Sequence, residues 1–175
     1  MDLKSILEAV LFVSTKPVSF RTLVKKLPEF SPEQIMETVR ILIKEYNNEE
    51  RAIEIVEVAR GYQMRTKPRY SEYVKRFVKV KEQHLTKSML ETLAIVAYKQ
   101  PITKKEIDRI RGVDSARAIK QLLEKKLIRI AGRERVLSSV IFETTDFFLE
   151  CFGLKSLNEL PNFAELEDVG IVTGN

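Results

Sequence analysis

At 175 residues and 20.3 kDa, the chain has room for one ordinary domain or two small ones, and its 44% hydrophobic and 31% charged residues exclude a disordered polypeptide. The 30 Lys+Arg against 25 Asp+Glu leave a net charge of +5 and a pI near 9.3, an excess that permits contact with nucleic acid without requiring it. The single cysteine excludes a disulfide scaffold, no apolar run nears the roughly 18 residues of a membrane span, and Met1-Asp2-Leu3-Lys4 opens no secretion signal, so a cytoplasmic protein is expected.

The elements follow in chain order. Asp2 is placed to cap a helix whose apolar positions Leu3, Ile6, Leu7, Val10 and Leu11 share one face. Pro17 stops it, and Ser19 caps a short helix that carries Leu23, Val24 and Leu27 inward. Ser31-Pro32-Glu33-Gln34 opens a third helix with a hydroxyl cap, a proline at the first helical position and a glutamine that completes a capping box. The buried stripe of that helix is Ile35, Val39, Leu42, Ile43 and Tyr46. Strand-like Ile53-Glu54-Ile55-Val56-Glu57-Val58, a turn at Ala59-Arg60-Gly61 and a return through Tyr62-Gln63-Met64-Arg65 make a β-hairpin. Three helices closed by a hairpin is the order of a winged helix. Tyr70, Tyr73, Val74, Phe77 and Val78 then fit a joining helix, and Val80-Lys81-Glu82-Gln83-His84 a short linker.

The same order returns. Thr86 caps a helix with Met89, Leu90, Leu93 and Val96 inward. Thr103-Lys104-Lys105-Glu106 is a capping box, and Gly112 falls where a left-handed stop is wanted. Asp114 or Ser115 caps the next helix, which carries Ala118, Ile119, Leu122 and Leu123 inward. Leu127-Ile128-Arg129-Ile130 and Val140-Ile141-Phe142-Glu143 form a second hairpin, and Asp146 caps a last helix stopped at Gly153. The copies can be laid side by side. Leu7-Glu8-Ala9-Val10-Leu11-Phe12 through Pro17-Val18-Ser19 matches Leu90-Glu91-Thr92-Leu93-Ala94-Ile95 through Pro101-Ile102-Thr103 with one inserted residue. The fold expected is therefore mainly α with small β-hairpins: two tandem winged-helix domains, over residues 1–80 and 81–161, with an acidic mobile tail over 162–175.

Little in the chain favours catalysis. The only histidine, His84, lies far along the chain from Cys151, and no nucleophile signature surrounds either. Cys151 reads as a small buried apolar side chain within Phe147-Phe148-Leu149-Glu150-Cys151-Phe152. The six glycines are scattered, so no phosphate-cradling loop can be assembled. No enzyme, cofactor or metal site is expected.

Charge on the third helix of each copy bears on DNA binding. The first carries Glu33, Glu37, Glu45, Glu49 and Glu50 against Arg40 and Lys44, which repels phosphate. The second copy offers Lys104, Lys105, Arg117 and Lys120 as candidate nucleic-acid contacts, without a pattern that marks base readout. A solvated face with a local positive bias accounts for the same residues. Tyr98 and Gln100, polar at a helix end, and the aromatic group Phe142, Phe147, Phe148 and Phe152 are candidate partner contacts. Closing the second domain's own core is the competing role for each phenylalanine. Adjacent helical residues diverge, so Phe147 and Phe148 cannot both point inward.

The segment from Leu90 to Thr103, followed by Ile107 and Ile110-Arg111-Gly112-Val113, resembles the central signature of the bacterial and archaeal segregation and condensation protein B family. Thr144-Thr145-Asp146-Phe147-Phe148-Leu149, with Phe152-Gly153-Leu154, Leu157 and Leu160-Pro161, is similar to its C-terminal signature, and Ile6-Leu7-Glu8-Ala9-Val10-Leu11-Phe12 fits its opening. The resemblance covers residues 3–161. One departure is Leu137-Ser138-Ser139, where the family usually has Gly-Arg-Pro, so a second wing of different shape is expected. The resemblance implies a non-catalytic subunit of a condensin-like SMC–kleisin complex, nucleoid-associated and needed for chromosome condensation and segregation. Such a subunit dimerises mainly through its N-terminal domain and binds the kleisin, segregation and condensation protein A, through which it meets an SMC ATPase. Direct DNA contact is expected to be weak or absent, and no membrane is implied. The alternative is a DNA-binding winged-helix transcriptional regulator.

Overall fold

The structure, a computed structural model, describes residues 2–78, 84–134 and 138–161. The chain separates into two units, Met1–Lys81 with Gly153–Ser156, and Glu82–Phe152 with Leu157–Asn175.

Unit 1 runs α1 (Leu3–Val13), β1 (Val18–Ser19), α2 (Phe20–Lys26), α3 (Pro32–Tyr46), β2 (Ile53–Val58) and β3 (Gly61–Thr66), followed by a 3₁₀ turn at Pro68–Tyr70 and α4 (Ser71–Phe77). Helix starts follow local chemistry. Ser31 Oγ accepts from Gln34 N at 3.2 Å while Gln34 Oε1 accepts from Ser31 N at 2.9 Å, the reciprocal box expected with proline just inside it. Ser19 Oγ accepts from Thr22 N at 3.2 Å. Asp2 stands at the cap position of α1, but its side chain makes no capping bond. Leu7, Ile35, Val39, Leu42 and Ile55 are wholly buried, with Leu11 and Leu23 nearly so. Each such side chain contributes roughly 1.5–3 kcal/mol by leaving water. The sheet order is β1-β3-β2, all antiparallel. Val58 pairs with Gly61, so only Ala59 and Arg60 form the turn, both at positive φ (47° and 59°). Gly61 is thus the first strand residue rather than part of the turn. A Cβ there would meet the Val18 carbonyl carbon at 2.8 Å, and the crossing of β1 is what demands glycine.

Unit 2 repeats the order: α5 (Lys87–Lys99), β4 (Ile102–Thr103), α6 (Lys104–Arg111), α7 (Ala116–Glu124), β5 (Ile128–Arg133), β6 (Val140–Thr144) and α8 (Asp146–Phe152), then a 3₁₀ turn at Leu157–Glu159. Its sheet order, β4-β6-β5, copies that of unit 1. The molecule is therefore mainly helical, with two tandem winged helices, as the hydrophobic periodicity implies. Thr86 caps α5, and Thr103 with Glu106 closes a capping box on α6. Gly112 ends α6 in the left-handed region at φ 71°. Met89, Leu93, Val96, Ile107, Leu122, Leu127 and Leu149 form the buried centre.

Three local expectations change, at Leu90, Asp146 and Cys151, and the open choice between Asp114 and Ser115 is resolved. Leu90 is exposed; Thr92 takes the inward position, its hydroxyl donating to the Ser88 carbonyl at 2.8 Å, because it lies three residues after Met89 and four before Val96 on the buried stripe, from which Leu90 is turned away. The cap of α8 is Thr145, whose Oγ1 accepts from Phe148 N at 3.1 Å, and Asp146 is the first helical residue. Ser115 holds the cap position of α7 without a side-chain cap bond, and Asp114 Oδ2 accepts from Ala116 N at 3.2 Å instead. Cys151 is exposed, since α8 packs through Phe148 and Leu149 and the thiol falls off that face. Most of the expected 80–84 linker, Leu137 of the second wing and the 162–175 tail lie outside the described residues. Among those described, no helix is long and apolar enough to cross a membrane.

Candidate partner-binding surfaces

In unit 1 the inward stripe of α1 leaves Phe12 and Val13 outside the core. They are 74% and 75% exposed, a costly way to place two large apolar side chains in water. Phe12 borders a groove of about 390 Å³ with Ser5, Glu8 and Ala9 of α1, Tyr46 at the end of α3, and Ile53 and Met64 of the hairpin. Polar groups rim it. The Tyr46 hydroxyl donates to Glu8 Oε1, and that carboxylate holds the hydroxyl above its usual pKa. The Arg51 guanidinium sits 4.7 Å from the Tyr46 ring centroid, and Lys4 Nζ pairs with Glu45 at 2.6 Å. An apolar floor with a satisfied polar rim can bind another polypeptide. The sequence signal for Phe12 is its place in an apolar run one residue past the buried Leu3, Leu7, Leu11 stripe. On α4, Tyr73 and Phe77 are exposed as well, at 62% and 89%.

Unit 2 sorts its six candidate partner residues into two groups. Gln100, at the end of α5, works inside the fold: its Oε1 accepts from Thr144 N at 2.8 Å and from the Thr144 hydroxyl at 3.0 Å, and its amide donates to the Ala97 carbonyl. Phe142 and Phe148 are buried, Phe142 on β6 opposite Ile102 and Ile130. The Tyr98 hydroxyl donates to the Pro161 carbonyl at 2.7 Å and holds the chain after α8. Phe147 and Phe152 are the outward pair, 37% and 47% exposed, with the Phe152 ring 4.9 Å from that of Phe148. Phe147 and Phe148 do diverge, one out and one in, as the helix period requires.

The basic candidates separate in the same way. Lys104 Nζ bridges Asp108, at 2.6 Å, and Asp114; those hydrogen bonds raise its pKa, and Lys104 in turn lowers that of Asp108. Lys105, Arg117 and Lys120 are exposed and enter no ion pair among the described residues. His84 is exposed, and among the described residues no three His, Cys, Asp or Glu side chains are grouped to hold a metal ion.

Comparison with known proteins then decides the family. The family model of the segregation and condensation complex subunit ScpB matches residues 5–163. The chain belongs to the ScpB family. Segregation and condensation protein B of Carboxydothermus hydrogenoformans is 44% identical over 100% of this chain and 94% of its own length. That of Acetivibrio thermocellus is 43% identical over 97% of this chain and 87% of its own. A crystal structure of a dimer of the ScpB N-terminal domain complexed with ScpA peptide is 28% identical, spans 45% of this chain and 94% of that one, and superposes with a TM-score of 0.41. ScpB membership does not favour the transcriptional-regulator alternative.

Proposed function

We propose that the chain is a non-catalytic subunit of a condensin-like SMC–kleisin complex, working on the chromosome in the cytoplasm and serving chromosome condensation and segregation. It dimerises through unit 1 and binds the kleisin ScpA, which links it to an SMC ATPase. The observation that carries this reading is the family match over residues 5–163, which takes in both winged helices. The surfaces agree with it physically: each unit exposes large apolar side chains, Phe12, Tyr73 and Phe77 in one and Phe147 and Phe152 in the other, that association would cover.

Within that reading, the groove beside Phe12 serves self-association, and Phe147 with Phe152 meets the kleisin. Large aromatics at the centre of a polar rim are the residues on which such interfaces depend most. Co-expression with the kleisin of the same genome, followed by mass measurement in solution, is the test. A complex holding two copies of this chain is the expected result. Phe12→Asp should yield monomers of unchanged fold, and Phe147→Asp should weaken kleisin capture at least ten-fold while the dimer persists. A monomer that ignores the kleisin ends the reading.

A further inference from the structure

The outer faces of the two third helices differ in sign. Helix α3 of unit 1 carries Glu33, Glu37 and Glu45 against Arg40 and Lys44. Helix α7 of unit 2 buries Ala118, Ile119 and Leu122, which leaves Arg117, Lys120 and Glu124 outward. From residue 104 to 126, through α6, its turn and α7, there are eight basic residues and four acidic ones. Two of those acids, Asp108 and Asp114, are taken up by Lys104. A third, Glu106, caps its own helix through Thr103. Local folding thus consumes most of the negative charge and leaves Lys105, Arg117 and Lys120 exposed.

Against the expectation of weak or absent DNA contact, we propose that unit 2 contacts the phosphate backbone of duplex DNA without reading its sequence, through Lys105 at the start of α6, Arg117 and Lys120 on α7, and Arg133 on β5. The scaffold is rigid enough to hold these cations in place. Asp108 Oδ1 accepts from Ser115 N at 2.8 Å across the α6–α7 turn, and the buried Arg111 guanidinium joins Ser115, Ser88 and Glu91. An α-helix, about 10–12 Å across, fits a major groove about 12 Å wide, with phosphates along both walls. The hairpin supplies a further exposed cation: β5 beyond Ile128 is exposed and ends at Arg133, whereas Arg129 is paired with Glu143 at 2.7 Å. The outward positions of α7 hold no Asn for adenine and Gln121 is half-buried; Arg117 and Lys120 are assigned to phosphate, and equal affinity for two unrelated sequences is the check on that assignment. In unit 1 the α3 face has no positive excess for the same ligand: Glu45 is held by Lys4, and Glu33 and Glu37 balance Arg40 and Lys44.

Four phosphate contacts predict an affinity that falls about 10²-fold between 50 and 200 mM salt. The test is titration of the full chain with fluorescent 30-base-pair duplexes of two unrelated sequences, over that salt range. Equal affinities for the two sequences and a steep salt slope are expected. Arg117→Glu with Lys120→Glu should lower affinity at 50 mM salt more than ten-fold and flatten the slope by about two. Arg40→Glu in unit 1 should change neither. Both altered positions in α7 are exposed, so an unchanged melting temperature confirms that folding is intact. No binding at 50 mM salt, an α7 double variant that binds like the wild type, or equal binding to polyglutamate would each overturn the proposal. Kleisin capture by the same double variant, measured in parallel, should persist, which separates this contact from the complex-forming role.

Discussion

Units 1 and 2 build one topology twice and then diverge wherever a side chain faces water. Both bury the third helix with a hydrophobic stripe, Ile35, Val39 and Leu42 in one and Ala118, Ile119 and Leu122 in the other. Both enter the sheet through a two-residue strand set between a proline and a hydroxyl-capped helix. Outside the core the resemblance ends: the third helix is acidic in unit 1 and basic in unit 2, and the exposed aromatics lie on α1 and α4 in one and on α8 in the other. Burial constrains shape, so both copies must keep it; exposed positions are free to specialise. The pair therefore reads as one fold carrying two kinds of surface.

That comparison can be broken or sharpened by substitution. The largest effect belongs to the shared core. Leu42→Ala and Leu122→Ala each remove a fully buried side chain and should each cost about 3 kcal/mol, read from urea denaturation. A cost under 1 kcal/mol at either site would show that the two cores are not equivalent. Next come the glycines, which serve different ends. Gly61→Ala drives a Cβ against the Val18 backbone and should cost about 2 kcal/mol. Gly112→Ala meets no atom within 4 Å and should cost only about 1 kcal/mol, for its left-handed φ. Reversal of that order in thermal melts would refute the close-approach account.

A smaller difference sits just before each proline. Lys16 is exposed, whereas Gln100 satisfies the Thr144 amide and hydroxyl. Gln100→Leu should therefore cost about 1.5 kcal/mol, and Lys16→Leu next to nothing.

The smallest contrast lies in the two capping boxes. Unit 1 uses Gln34, which does not titrate; unit 2 uses Glu106, whose pKa is lowered by the Thr103 backbone amide and hydroxyl. A carboxyl with a depressed folded-state pKa binds fewer protons folded than unfolded around its ordinary value. Its stabilisation is present above the unfolded pKa and disappears as pH falls through the folded one. Glu106→Gln should flatten the fall of melting temperature below about pH 4, where glutamate protonates, and leave the melting temperature near pH 7 little changed. An acid limb as steep in the variant as in the wild type would assign that fall to other carboxylates, Asp108 and Glu33 among them.

Much of this was legible before any coordinates. Helix starts at Ser31, Thr86 and Thr103, the stop at Gly112 and the inward stripes all depend on neighbours within four residues, so local pattern reports them faithfully. The duplicated order of elements followed from those same signals, and the motif resemblance pointed to the family that the comparison establishes. Local pattern was weaker at helix edges, where Leu90 and Thr92 exchange roles and Thr145 replaces Asp146 as cap.

What folding alone decided were matters of long-range contact. Gln100 meets Thr144 across 44 residues, and Tyr98 meets Pro161 across 63, so neither bond leaves any periodic trace in the chain. Lys104 has a local i,i+4 partner in Asp108, and folding adds Asp114, which returns to it around the α6–α7 turn. The sequence determined which residues go inside, because helical and strand periods are local geometry. The tertiary structure decided which polar and aromatic side chains remain for a partner, because that is settled only once every internal bond has been made.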